Sequence, residues 1–467
     1  MELHLLKENK HILLIIIGSI FILLGLFHTN LWFDETYTVN IINHSFKDIW
    51  QIGSNDVHPI LYYFLLKIIS LIFGKNIIIY RLFSSLGIIT LGIIGYTHIR
   101  KDYGDKIGKL FSFFTFFLPV SSIYAGEIRM YSWSITLVSL TFIYMMRIIK
   151  NNTLKNNILF MIFSLMSAYI HYYGLIISFF INLFLFIYLI IKKINLKYFI
   201  LSAIVQIVSY LPWLIIFYNQ TKKVSKGFWI TLEFPNILLE ILNFQFLGNN
   251  EFNIACIVSI IIYIFIFYSL IKNKEKIPLL SFSLYLIVII TVLIISIKMP
   301  IITPRYLFVI TGLLIFTMSY LLSKSSIYIN TFICLLILVF SIYNNTLFIK
   351  DNYDESNGKQ IKYIKENIGK DDIIIYTDVT TNSIYNLEID NKIYFYDIDN
   401  WQVDEAYKAF SNITIVKDLN FLDDLSCDIW VLDTRLYELL ENYKLIKKEN
   451  FKTKYHQLDF DIYVVRK

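Results

Sequence analysis

Apolar runs of about twenty residues recur from the N-terminus to about residue 348, and nothing else in the chain restricts its fold as tightly. Inside a bilayer no water meets a backbone N–H or C=O, so such a run crosses as a helix, which satisfies those groups within itself. Read between charged clusters, the runs fall near residues 11–30, 77–99, 109–125, 131–148, 157–170, 174–191, 198–218, 253–271, 278–297, 305–322 and 327–348. That is about eleven spans. With 56% of its residues hydrophobic and only 17% charged, the chain is not a soluble globular enzyme. The first run follows Lys7 and Lys10 and has no small-residue cleavage site before Trp32 and Asp34. It therefore reads as a retained helix, not a signal peptide.

The net charge of +6 conceals a division. Residues 351–467 carry 15 Lys and Arg against 23 Asp and Glu (−8), which leaves 27 against 13 (+14) for residues 1–350. Two domains are expected: a membrane domain, 1–350, and a soluble one, 351–467. Basic excess in a membrane domain orients helices, so no nucleic-acid partner is expected. Arg100, Lys101, Lys106 and Lys109, then Arg147, Lys150 and Lys155, then Lys192, Lys193 and Lys197, then Lys272, Lys274 and Lys276 occupy alternate loops. These belong in the cytoplasm. The chain then reads as a multi-pass protein of the plasma membrane, N-terminus inside, with the intervening loops and the acidic tail outside. Residues 59–73 are apolar but short, and with 46–52 they suggest interfacial helices in the first outer loop. Cys256 and Cys334 fall inside apolar runs and Cys427 stands alone, so no disulfide framework is implied.

The tail alternates short β-rich runs at 373–376, 393–396, 413–416, 429–432 and 462–465 with helical patterns at 360–367 and 403–410. That is a small α/β module. It has neither a Gly-rich phosphate loop nor a nucleophile elbow, which favours a docking or structural role.

Charges next to span ends are costly and so informative. Phe33-Asp34-Glu35-Thr36-Tyr37 directly follows the first span. Asp34 is either a helix cap or a carboxylate held at the membrane surface as a base or ligand. In Asp56-Val57-His58-Pro59 the Asp and His suit a divalent metal ion, although an ordinary polar loop has the same composition. Glu127-Ile128-Arg129-Met130-Tyr131 is either a self-neutralising pair or a phosphate clasp, since a guanidinium holds phosphate through two parallel hydrogen bonds. His171-Tyr172-Tyr173 is either an interfacial aromatic group or part of a site. Lys222, Lys223 and Lys226, and Arg305 in Pro304-Arg305-Tyr306, lie against the orientation bias. Cations there suggest an anionic ligand next to lipid.

Taken in order, these motifs, with Asp56-Val57-His58-Pro59-Ile60-Leu61-Tyr62-Tyr63, Phe73-Gly74 and Arg81-Leu82-Phe83-Ser84, resemble the GT-C glycosyltransferases of the dolichyl-phosphate-mannose protein mannosyltransferase superfamily. Its prokaryotic branch includes the aminoarabinose transferase acting on lipid A. The resemblance covers about the first 310 residues and implies a GT-C fold. It also implies an inverting transfer of a sugar from a polyprenyl-phosphate donor to a protein, lipid or glycan acceptor on the outer membrane face. Asp34 matches the family's acidic residue of the first outer loop, which the resemblance makes the catalytic base or an acceptor-positioning carboxylate, and Glu35 would support it. Glu127, Arg129, Tyr131, His171, Tyr172, Arg305 and Tyr306 would bind substrate, with Lys222 and Lys223 as further cations. Asp56 and His58 are candidate metal ligands. The sequence departs from the family where a second proline would follow His58-Pro59, here Ile60, and where a Gln would precede Glu127, here Gly126. A flippase for lipid-linked sugars would carry its charges nearer mid-membrane, and an inactive scaffold would have no use for Asp34, Glu127 and Arg129.

Overall fold

Every expected span coincides with a helix in the computed structural model, which describes residues 2–225, 230, 232–248, 251–378, 389–399 and 407–467. Lys226 and the first four residues of the expected 403–410 helix lie outside these. The first helix ends at Leu23, short of the expected boundary. Among the described residues eight helices are long and apolar enough to cross a membrane, and the bent pair Asp105–Phe117 and Pro119–Ala125 would be a ninth. Asn9–Leu23 and Leu154–Ile170 are apolar but shorter, and a count of eleven includes both. Leu61–Phe73, of 13 residues, falls short of the roughly 20 a crossing needs.

The described chain divides into two compact units. The first comprises residues 1–26, 57–62 and 79–347. Its helices meet through small residues, the means by which membrane helices bring their backbones close. Gly87 lies against the backbone of Ser132, where a Cβ would have no room. Thr136 Oγ1 donates to the Gly87 carbonyl at 2.7 Å, Trp133 Nε1 to that of Phe83 at 2.9 Å, and Ser132 Oγ to that of Ser84. Gly312 is pressed against Ser139 and Gly174 against the Ser167 carbonyl in the same way. The most enclosed candidate spans are Pro304–Lys324 and Tyr131–Lys150, with 94% and 78% of their apolar windows buried. Both begin with residues of the candidate site.

The second unit takes in residues 348–467 together with 27–56 and 63–78. Its sheet has the order β3-β2-β1-β4-β6-β5, with β1 Ile373–Tyr376, β2 Ile393–Tyr396, β3 Ile413–Val416, β4 Ile429–Val431, β5 Lys444–Lys452 and β6 Asp459–Arg466. The first four run parallel, while β6 pairs antiparallel with β4 and with β5. Ile373, Ile375, Val431, Leu436 and Val465 share one core. Strand β5 was not among the expected strands. Its sequence, KLIKKENFK, is largely exposed and polar, and the lysines that keep an edge strand from pairing with other chains also hide its period-two pattern.

Candidate functional site

Two proline breaks deliver polar residues to one end of the first unit. Leu118 is extended ahead of Pro119, the backbone state that a following proline favours, and the helix bends there by 62°. The chain then reaches the Gly126–Met130 turn, where the Arg129 N–H donates to the Glu127 carbonyl at 2.6 Å. Thr303 is extended ahead of Pro304, and a 3₁₀ helix, Pro304–Ile310, opens with Arg305 and Tyr306. Arg81, buried near the start of Ile77–Ile94, donates from Nη1 to the Gly126 carbonyl at 3.1 Å and so ties the turn to that helix. Any side chain at 126 would overlap Leu26. A side chain at this position therefore requires Leu26 to shift.

His171 sits between the short helix Leu154–Ile170 and Tyr172–Ile191, as the N-cap of the latter. Its Nδ1 accepts from the Tyr173 N–H at 3.0 Å, so the neutral ring carries its proton on Nε2. That nitrogen is buried and has no hydrogen-bond partner among the described residues. The ring meets Tyr306 edge-on at 4.9 Å, with His58 at 5.8 Å and Tyr131 at 6.0 Å. His58 meets Tyr306 at 5.8 Å, and the Arg305 guanidinium lies 5.7 Å from the Tyr306 ring centre. Burial, then the positive fields of Arg129 and Arg305, push His171 down to about 3. Burial and then Arg129 hold His58 well below its ordinary value. Both imidazoles are neutral at physiological pH, and the net positive character comes from the arginines. The group thus offers the buried Arg129, the half-buried Arg305 and a buried neutral N–H donor, and away from water a charged acceptor is held more strongly than in it.

Some predicted residues stand elsewhere. The Tyr172 hydroxyl donates to the buried Gln220 side chain and accepts from Trp213 Nε1 at 3.1 Å, so it ties helix ends together. Lys222 and Lys223 are exposed at the end of Lys197–Val224.

In the second unit, Phe33–Ile41 carries the acidic pair. Trp32 is the N-cap residue and makes no side-chain cap; Asp34 and Glu35 lie in the first turn, where negative charge is favoured by the helix dipole. Asp34 is half-buried. Glu35 is 0% exposed and its Oε2 accepts from the Tyr455 hydroxyl at 2.7 Å. Trp32 stacks on His456 at 4.6 Å, and Phe33 and Tyr37 meet Phe410 at 6.4 and 6.0 Å. Asp56 accepts from the Tyr63 hydroxyl at 3.0 Å. Among the described residues no three His, Cys, Asp or Glu side chains gather as a metal-ligand set.

The sequence reading includes Arg81 in a motif but gives it no role, and it passes over Tyr455. An arginine within an apolar run is a signal that could have drawn attention to the first. Nothing local marks Tyr455, whose partner lies 420 residues away in the chain.

No family model matches the chain, and no curated protein matches it in sequence. Solved structures do match. ArnT from Cupriavidus metallidurans in the apo state aligns at a TM-score of 0.64 with 10% identity, over 98% of this chain and 97% of that one. The same ArnT bound to undecaprenyl phosphate aligns at 0.60, also at 10% identity, over the same shares of the two chains. The fold is therefore the GT-C fold expected from the sequence, in a multi-pass helical membrane protein with a small C-terminal α/β domain.

Proposed function

We propose that this chain is an inverting glycosyltransferase that moves a sugar from a polyprenyl-phosphate donor to a protein, lipid or glycan acceptor at the outer face of the plasma membrane. The observation that carries the reading is the grouping of buried Arg129, half-buried Arg305 and the buried Nε2–H of His171. Such a group suits a phosphate whose charge grows as it leaves. The fold it shares with an ArnT seen bound to undecaprenyl phosphate supports a polyprenyl carrier.

In this reading Asp34 takes the proton of the acceptor hydroxyl or amine as that atom attacks the anomeric carbon. The bond from that carbon to the phosphate oxygen breaks, and the electron pair leaves with the polyprenyl phosphate. Arg129 and Arg305 neutralise the departing charge, and His171 donates to a phosphate oxygen. Attack opposite the leaving group inverts the sugar carbon. Glu127 orients Arg129, Tyr131 and Tyr306 shape the donor site, and Glu35 supports Asp34. No step is routed through a metal ion, and Asp56 and His58 are left their packing roles. Lys222 and Lys223 meet lipid headgroups.

The test is transfer of label from a set of polyprenyl-phosphate sugars by the purified protein in proteoliposomes, beside Asp34→Asn. Transfer by the wild type that fails in the mutant supports the reading. Failure of both, with labelled lipid changing leaflet, replaces it with flipping; transfer by the mutant removes Asp34 from the base role.

A further inference from the structure

We infer that Tyr455, on the last hairpin of the C-terminal domain, is a positioning residue for the acidic pair, acting through its hydrogen bond to Glu35. The inference rests on the proposed transferase reading and extends it to the part of the chain that the sequence assigns no chemistry.

Three observations within the second unit support it. First, the bond is short and enclosed: the Tyr455 hydroxyl donates at 2.7 Å to Oε2 of a carboxylate that is fully buried. A buried carboxylate without donors is costly, and this phenol is a donor that the tail supplies. Second, Tyr455 is itself held in place. The N–H groups of Lys454 and Tyr455 both donate to Asn357 Oδ1, at 3.1 and 2.9 Å. Asn357 Nδ2 in turn donates to the carbonyls of Asp351 and Asn352, at 2.7 and 3.3 Å. The phenol is thus referenced to the end of the helix Ile327–Asn352, not to a loose tail. Third, the turn is shaped for the purpose. His456 and Gln457 both have positive φ, 54° and 50°, a backbone state that non-glycine residues adopt at a cost. That state presents the His456 ring flat against Trp32, the residue that begins the acidic helix.

Trp32 and Glu35 are thus gripped from the tail at the first turn of the nine-residue helix Phe33–Ile41. Asp34 lies between the two grips. A rotation or slide of so short a helix would move the Asp34 carboxylate away from the acceptor. The Tyr455 bond opposes that motion, and so the domain contributes to the chemical step without touching substrate.

The experiment is steady-state transfer by full-length protein in proteoliposomes, comparing wild type with Tyr455→Phe, Glu35→Gln and the double variant. Tyr455→Phe keeps the ring and its packing and deletes one hydroxyl. Expected is a fall in kcat of roughly tenfold to a hundredfold with the donor KM within about threefold of wild type. The double variant should be no slower than the slower single variant, because both changes break one link. Should Tyr455→Phe express poorly, Trp32→Phe, which weakens the stack on His456, should lower kcat in the same direction with KM unchanged. Wild-type kcat in Tyr455→Phe, or full additivity in the double variant, overturns the inference while leaving the transferase intact. A wild type that transfers no sugar overturns the transferase reading, and this inference with it; the two failures differ in whether the wild type turns over.

Discussion

Replacing His171 with Phe should weaken carrier binding while leaving the protein at least nearly as stable, a combination that ordinary core damage does not produce. The ring in the wild type has two roles. Through Nδ1 it caps Tyr172–Ile191, accepting from the Tyr173 N–H, and losing a cap costs about 1 kcal/mol. Through Nε2 it keeps a buried donor without an acceptor among the described residues, a penalty of about 1–3 kcal/mol. Phe gives up the first and is relieved of the second, while the edge-on packing against Tyr306 remains available to it. The net change in stability runs from near zero to about 2 kcal/mol in favour of the variant. Binding moves the other way. A hydrogen bond to a charged phosphate oxygen contributes about 1.5–3 kcal/mol, which is roughly tenfold to a hundredfold in Kd. The assay pairs titration of detergent-solubilised protein with undecaprenyl phosphate and thermal unfolding of the same samples. His171→Asn, which keeps a capping side chain with a shorter reach, should be stable and share the binding defect. Binding within about threefold of wild type in both variants would refute the assignment of Nε2–H to the phosphate.

Further expectations follow from particular contacts. Gly126→Ala should lower Tm and transfer together, because the new methyl overlaps Leu26 beside the Glu127–Arg129 turn; overpacking costs about 1–3 kcal/mol. Leu26→Ala combined with it should restore part of both, and a purely additive double variant would contradict the steric account. His58 and His171 are held neutral, so below pH ~6.5 the unfolded chain takes up protons that the folded chain refuses, and stability falls as pH falls. Each neutral ring adds to that fall as the pH drops below about 6.5, so His171→Phe should flatten the decline of Tm with acid. Lys222→Ala and Lys223→Ala, at exposed positions, should change kcat/KM by less than about threefold at neutral lipid composition; a tenfold loss would bring these lysines into the donor site.

What could be read along the chain was whatever depends on near neighbours. Hydropathy over some twenty residues is a local sum, so the apolar runs and the helices they form coincide. The bend at Pro119 falls inside the run 109–125, and proline alone does not announce it, since Pro212 sits within a continuous helix. Short β-rich apolar runs showed five of the six strands described in the tail. Strand β5 stayed hidden because its partner, not its composition, makes it a strand. The ordered motifs indicated which polar residues to examine, but not how they would divide. Folding put His171 with His58, Tyr131 and Tyr306, turned Tyr172 to Gln220 and Trp213, and gave Glu35 a phenol from far along the chain. Hydrogen bonds and burial act over a few ångströms in space and are blind to separation in sequence. Which carboxylate is clasped, which imidazole nitrogen keeps its proton and which glycine yields its room to a leucine are therefore decided only when distant segments meet.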